Sequence, residues 1–294
     1  MNENLGSLVG NLLEASSFLA AMRELKASKG KSRLFGDRVR SLTRDEIASL
    51  ESLGNTCADW SRILVAEGFA PSRVTLSVFA GDCVLGAPGN DVPVGKSASL
   101  PGGIHRSTVV DSEIGDGCLV SDVGVLSNYV LREGAAVFSA GAVTASRECA
   151  FGNGREIAIG IETGGREVLS YAELTIPVAA AVATRRGDRE LQEAYRKFVK
   201  SYVDACSAPF GVIERGAFIR NTAATEDVYV GEGAGIDGAT LVQNCTLLGA
   251  PGERTVVSHG AFVRNSCLQY GCEATSMASS SATAREISPS ARSR

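Results

Sequence analysis

The chain has 294 residues, of which 44% are hydrophobic, and a formal net charge of −4 at pH 7. This length and apolar content suffice for a sizeable core, and the mixing of basic and acidic residues along most of the chain excludes an electrostatic footprint for nucleic acid. The eight cysteines include no CxxC pair and no signal peptide precedes them, so we expect buried thiols in a cytoplasmic protein, without disulfides or zinc.

The first 41 residues predict an amphipathic helix followed by a basic linker. Leucines recur at helical spacing between residues 4 and 26, and the glutamates of this segment argue against export or a membrane span. Lysines and arginines spread over 26–40, with glycine and serine between them, predict a solvated linker. A helical lead-in at 42–73 follows, because Thr43 and Glu46 form the pattern of a capping box.

A six-residue period dominates the next segment. Aliphatic residues recur at steps of six, six, five, six and six at Ile114, Val120, Leu126, Leu131, Val137 and Val143. Neither a helix nor a hairpin sheet has this period. A coil of three short strands has it, because one inward side chain and a tight turn use about six residues per strand. The spacing predicts a mainly β fold, a left-handed parallel β-helix of hexapeptide repeats.

The same period returns in the C-terminal half, which divides the solenoid into two stacks. It continues through Ile213, Ile219, Val230, Ile236, Val242, Leu248, Val257, Val263 and Ala274. The sequence GAFIRNT at 216–222 also matches GAFVRNS at 260–266. We therefore predict a first stack at 74–169 and a second at 210–275, split by an inserted α-helical hairpin at 170–209. The tail at 276–294 has almost no large apolar residues and predicts disorder.

With these patterns in hand, the chain resembles the hexapeptide-repeat superfamily. It is more closely similar to an uncharacterised bacterial family of long β-helix proteins, known only as a domain of unknown function. The matching stretches are 42–74, 151–168 and 260–278, together with the hairpin. This resemblance covers about residues 42–278 and implies the fold, but no established reaction. Family members look longer, so we expect this chain to be truncated or altered after Ala278.

The wider superfamily suggests where chemistry could lie. Its enzymes are mostly acyltransferases, commonly homotrimers, so the resemblance implies a homo-oligomer with acyl-CoA as a candidate donor. Their usual general base is a histidine, which titrates near neutral pH. Of the two histidines, His259 lies beside a corner loop at 249–255 and is the candidate base, unless it is only a hydrogen-bonded turn residue. His105 is a weaker candidate. Carbonic anhydrases of this fold need three histidines for zinc, which this chain lacks.

Four further residues are candidate substrate binders. Asn244 and Asn265 are one coil apart, so they stack on one corner, either as a structural amide ladder or as a sugar-recognition site. The position of Arg264 in the six-residue repeat turns its side chain outward, where it could bind a phosphate. The alternative is a solvated surface arginine. Arg166 lies in a glycine-rich segment at 151–167 that lacks the lysine of a phosphate loop.

Two functions of different class remain open at this point. The first is a transferase-like protein that binds or acylates a sugar or sugar-nucleotide, with no nucleic acid or membrane partner. The second is a non-catalytic β-helix scaffold whose flat faces and hairpin mediate assembly. The superfamily's habits favour the transferase, and the small number of histidines favours the scaffold.

Overall fold

The computed structural model describes residues 5–93, 98–159, 164–275, 279–280 and 284–285. Over these residues the chain is mainly β, with one large curled sheet of 22 strands and two short antiparallel pairs of strands beside it. The α-helices are α1 (Leu5–Val9), α2 (Leu12–Ala15), α3 (Ser17–Ala27), α4 (Arg44–Ser52), α5 (Ile176–Thr184) and α6 (Arg189–Cys206). Among the residues described, none of the helices has the length and hydropathy that crossing a membrane requires.

The strands up to the hairpin insertion are mostly short. They are β1 (Val39–Ser41), β2 (Thr56–Cys57), β3 (Ile63–Ala66), β4 (Val74–Thr75), β5 (Val78–Ala80), β6 (Cys83–Leu85), β7 (Val92–Pro93), β8 (Ser99–Leu100), β9 (Gly103–His105), β10 (Thr108–Val110), β11 (Glu113–Ile114), β12 (Leu119–Ser127), β13 (Tyr129–Leu131) and β14 (Ala136–Thr144). The sheet starts earlier than position 74, where we predicted its beginning, because β2 and β3 pair in parallel with β5 and β6.

The remaining strands include a small antiparallel pair, β15 (Glu156–Ala158) and β16 (Glu167–Leu169). The others, all in the large sheet, are β17 (Gly211–Ile213), β18 (Phe218–Arg220), β19 (Ala224–Val230), β20 (Gly235–Asp237), β21 (Leu241–Leu247), β22 (Val256–Ser258), β23 (Phe262–Leu268), β24 (Glu273–Ala274), β25 (Ser279–Ser280) and β26 (Ala284–Arg285). Both β25 and β26 pair in parallel with β23, although the composition of 276–294 predicts disorder. The rest of that tail lies outside the described residues.

The core consists of three columns of inward side chains, each running from rung to rung of the parallel sheet. The first column is Val74, Ile104, Val120, Val137, Ile219, Ile236, Val257 and Ala274. The second is Phe79, Val109, Leu126, Val143, Thr225, Val242 and Val263. The third is Val65, Leu85, Ile114, Leu131, Ile213, Val230, Leu247 and Leu268.

These columns account for the six-residue period. All members except Ala274 are buried, and burying one such aliphatic side chain contributes about 1.5–3 kcal/mol. One predicted inward position is off by a residue. Leu247 occupies the column, whereas Leu248 packs in a second core outside the sheet. The step from Val242 to Leu247 is therefore five residues, whereas the predicted step to Leu248 was six.

The second core lies between the sheet and the helices that cover one of its faces. Outward residues of the sheet, among them Val130, Val212 and Tyr229, pack there against α3, α5 and α6. Aromatic rings of α6 supply much of the contact, with the Tyr202 centroid 5.0 Å from that of Tyr171. Helices α5 and α6 lie within the segment predicted to hold a hairpin, and they cover this face of the sheet.

The N-terminal region differs from the single helix and solvated linker that we predicted. The helix is broken into three, because Gly10 adopts a left-handed conformation with φ 54° and Ser16 starts α3 by accepting a hydrogen bond from the Leu19 amide at 3.1 Å. The linker is anchored instead of solvated, and Ser32 in its middle is only 3% exposed. The capping box of α4 is confirmed, with both hydrogen bonds between Thr43 and Glu46 present.

The second inward column contains one polar residue, Thr225. This residue gives a test of the packing. Thr225 is fully buried, and its hydroxyl oxygen has no hydrogen-bond partner among the residues that the structure describes. An unsatisfied buried hydroxyl costs about 1–3 kcal/mol. We therefore expect Thr225→Val to raise the free energy of unfolding in a urea titration, by up to that amount.

Thr246 provides the matched control for this substitution. It is equally buried, but its hydroxyl donates to the Phe151 carbonyl at 2.7 Å and is 3.1 Å from the Asn153 amide nitrogen. Thr246→Val should therefore destabilise the fold, because it removes both hydrogen bonds of this buried hydroxyl. If Thr225→Val destabilised the chain as much as Thr246→Val, Thr225 would not lie where the register puts it.

Candidate functional site

His259 lies at a sharp corner that the β-sheet repeats on every rung. Arg220 pairs with Asp237 and Asp237 with Ser258 in parallel register, so Asn221 and His259, which follow, occupy equivalent corners. Both have left-handed backbones, with φ 52° and 54°. Asparagine is common in this conformation, and histidine is also enriched there. The corner therefore fixes the backbone at His259 and turns its side chain outward, where it is exposed.

The ring of His259 is held at one nitrogen only. Its Nδ1 atom is 2.8 Å from the Ser258 hydroxyl, and among the described residues no hydrogen bond is recorded for Nε2. When Nδ1 carries the proton and donates to Ser258, the Nε2 lone pair faces solvent and can accept a proton. His105 differs, because its two ring nitrogens lie 3.0 Å from the Thr75 hydroxyl and 3.2 Å from the Pro101 carbonyl.

A charged pair lies directly beside His259. The guanidinium of Arg220 donates to the carboxylate of Asp237 at 2.7 Å, and Asn221 donates to its other oxygen at 3.2 Å. Burial alone would raise the pKa of Asp237, but the hydrogen bonds from Arg220 and Asn221 and the charge of Arg220 outweigh it and hold that pKa below its usual value. Asp237 therefore stays ionised at neutral pH, with Arg220 fixed alongside.

An aromatic ring with two arginines completes the cluster. The guanidinium carbons of Arg220 and Arg254 lie 5.1 and 4.6 Å from the centroid of the Phe218 ring, within the range of a cation–π interaction. Gly235 makes room for this ring, since a Cβ atom there would come within 2.1 Å of it. We refer to the group below as the His259 site, with members Phe218, Arg220, Asp237, Arg254, Ser258 and His259.

Sequence reasoning identified His259 but missed most of its neighbours. Arg254 was missed because it belongs to a corner loop, and nothing in a loop sequence says over which strand it folds. Two features of the sequence could have indicated these neighbours. The step from Leu248 to Val257 has three residues more than the six-residue period, and Arg220 directly follows the inward Ile219, so its side chain points outward. Both point to this side of the sheet once the register is known.

The predicted asparagine pair lies at a different corner and is engaged in the fold. Asn244 and Asn265 have φ 51° and 49°, and the Asn244 amide nitrogen donates to the Asn265 side-chain oxygen at 2.7 Å. The Asn244 oxygen accepts from the backbone nitrogen of Gly152 at 2.8 Å. These bonds join successive rungs to the segment leading into the hairpin. The geometry is that of the structural amide ladder, the first of the two alternatives above.

The two predicted arginines are exposed, and neither contributes to the His259 site. Arg264 lies on β23, with its guanidinium carbon 6.0 Å from the Phe262 ring. Arg166 precedes β16 in the small antiparallel pair of strands. Over the described ranges, no hydrogen bond or ion pair joins either arginine to His259. The structure thus leaves His259 as the predicted residue with a chemically organised surrounding.

Metal and thiol chemistry find no support in the described part of the chain. No group of three or more histidine, cysteine or acidic side chains is arranged there to hold a metal ion. The eight cysteines form no disulfides with one another, and all but Cys57 are buried. Burial raises the pKa of Cys118 and Cys245 to about 12, so these thiols are protonated and poor nucleophiles near neutral pH.

Comparison with known proteins agrees with the extent of the sheet. An uncharacterized protein of Treponema pallidum (strain Nichols) is 25% identical over 244 residues, which cover 79% of this chain and 34% of that protein. The chain thus spans about a third of the length of this relative. A family described as a domain of unknown function, DUF4954, matches residues 39–283. Because that match includes most of the chain, the protein belongs to the DUF4954 family.

Proposed function

We propose that the curled sheet is a left-handed parallel β-helix of the hexapeptide-repeat type, and that the chain is a transferase-like protein that binds or acylates a sugar or sugar-nucleotide. Three inward columns and a return to parallel pairing after 17 residues, as between Val120 and Val137, support the triangular coil. The left hand rests on the resemblance to hexapeptide-repeat proteins. The His259 site is the proposed reaction centre.

The observation that carries the proposal is the state of the His259 ring. Nδ1 is held by Ser258, and Nε2 faces outward beside a fixed Arg220–Asp237 pair. A general base needs this arrangement, with one nitrogen oriented by a partner and the other open to substrate. His259 Nε2 would take the proton from a substrate hydroxyl or amine as that group attacks the thioester carbonyl of an acyl-CoA. The departing thiolate would then receive the proton.

The rest of the site suits a sugar bearing a phosphate. Phe218 holds the two guanidiniums over its ring, so a ligand would meet the cations before the ring. The guanidinium of Arg254 lies over this ring, 4.6 Å from its centroid, and its charge favours a phosphate or diphosphate group. Arg220 is already paired with Asp237, so Arg254 is the main cation for the ligand.

A scaffold function has one specific observation in its favour. The outward column through Val78, Thr108, Val125, Ala142, Ala224, Leu241 and Phe262 is apolar except for Thr108, and it belongs to neither outer cluster of buried residues, the one beneath the helices or the one beneath β7 and β8. Val78, at one end, is 47% exposed. A flat apolar surface of this kind can mediate assembly with further copies of the chain. The experiments below separate the two functions.

The first experiment removes the proposed base. Asparagine tolerates the left-handed corner, so His259→Asn keeps the backbone and deletes the imidazole. We expect it to lower acyl transfer to a sugar-nucleotide acceptor by about 10²–10⁴-fold, with the melting temperature nearly unchanged. Activity is measured as free thiol released from acyl-CoA.

Arg264→Ala, on the neighbouring strand, is the matched surface control and should leave the rate unchanged. If no acyl-CoA or sugar-nucleotide raises the melting temperature of the unaltered chain, and His259→Asn changes no activity, the transferase proposal fails. The scaffold function would then be favoured.

The second experiment tests the anion-binding role of Arg254. Arg254→Gln removes the charge from an exposed loop residue, whose Nε atom donates to the Gly233 carbonyl at 3.0 Å. Loss of one charge-assisted hydrogen bond should weaken sugar-nucleotide binding by about tenfold or more. Isothermal titration would measure this, with the unphosphorylated sugar as the comparison ligand. If the unaltered chain and the Arg254→Gln variant bound the sugar-nucleotide with equal affinity, the assignment of Arg254 would be contradicted.

A further inference from the structure

The basic segment after α3 folds back onto the sheet and is pinned there by one buried carboxylate. Glu113, which is 6% exposed, accepts from the Ser32 hydroxyl at 2.7 Å, the Arg33 amide at 2.8 Å and the Arg33 guanidinium at 2.6 Å. A short bridge between Ser32 and Gly36 closes the segment into a loop. Both carboxylate oxygens of Glu113 are therefore saturated by this loop.

A cavity of about 540 Å³ opens beneath this loop, which we call the Glu113 cavity. Its wall combines the basic loop with apolar residues at the end of α3 and just beyond α6. A volume of this size suits a small organic molecule.

The charges around the Glu113 cavity do not balance. Three basic side chains, Lys26, Lys31 and Arg33, line it with a single acidic one. Arg33 is paired with Glu113, and Lys26 donates to the carbonyls of Asp204 and Ala205 in the last turn of α6. Lys31 has no hydrogen bond or ion pair recorded within the described ranges. The cavity thus holds two positive charges in excess.

The apolar side of the cavity is equally defined. The Arg33 guanidinium lies 4.5 Å from the centroid of the Phe210 ring, so the cation is fixed in place by stacking as well as by Glu113. Leu25, which is 2% exposed, and Pro209 extend this wall. A ligand would therefore meet cations on one side and the exposed aliphatic carbons of Pro209 on the other.

We infer that the Glu113 cavity is a binding site for a phosphorylated small organic molecule, separate from the His259 site. A phosphate monoester carries a charge of about −2 near neutral pH, which would balance the two excess positive charges on the cavity lining. Lys31 supplies the principal contact to the phosphate, because Lys26 and Arg33 are already engaged. The organic part packs against Pro209, which is exposed, beside the Arg33 guanidinium that covers the buried Phe210 ring. Nothing in this inference depends on the transferase function.

Adenosine monophosphate is a suitable probe, measured by isothermal titration on the full chain at low ionic strength. We expect it to bind more tightly than inorganic phosphate, and adenosine to bind least. Lys31→Gln should weaken adenosine monophosphate binding by about tenfold or more, because it removes a charge-assisted contact. Both Lys31 and its control residue are exposed, so neither variant should affect folding.

Lys29→Gln is the matched control, since Lys29 lies on the same loop but not in the cavity wall. It should bind the probe as the unaltered chain does. Arg254→Gln should also leave this binding unchanged, which distinguishes the Glu113 cavity from the His259 site. The inference is overturned if the unaltered chain binds neither phosphate nor the nucleotide. It is also overturned if the two lysine variants lose affinity equally, or if Arg254→Gln alone loses it.

Discussion

Burial of three parallel columns of aliphatic side chains is the interaction on which the rest of the structure depends. Each column repeats at every rung, so a residue such as Val137 touches its counterparts Val120 and Ile219 above and below. A slip of one residue in any strand would turn its inward side chain to the outside. The register is therefore strongly specified, and every outward position inherits its place from it. Corners, covered faces and candidate sites all follow from this register.

The sequence predicted this core because its period is local. The spacing of Val120, Leu126 and Leu131 can be counted directly, and few other structures use six residues per strand. The helix of Thr43 and Glu46 was predictable for the same reason, since a capping box spans only four residues. The phase error at Leu248 shows the limit. A five-residue step looks the same as a six-residue one until the neighbouring rungs are aligned.

Contacts between residues far apart in sequence were not predictable in this way. The loop around Ser32 and Arg33 reads as solvated because its partner, Glu113, lies 80 residues away. The approach of Arg254 to Phe218 has the same origin, since the path of a corner loop depends on the strand beneath it. Of the candidate site, only His259 could be found by residue type. The outward residues around it became visible once their rungs were stacked.

Cross-linking within one outward column tests the register most directly. Ala142 and Ala224 are 82 residues apart in sequence but are direct neighbours on adjacent parallel rungs, about 4.8 Å apart, which is within the reach of a disulfide. The account predicts that a chain carrying Ala142→Cys and Ala224→Cys forms an intramolecular disulfide on mild oxidation. A chain carrying Ala142→Cys and Leu241→Cys, two rungs apart, should not form one. Failure of the first pair to cross-link, or equal cross-linking of both pairs, would contradict the register on which the core and both sites rest.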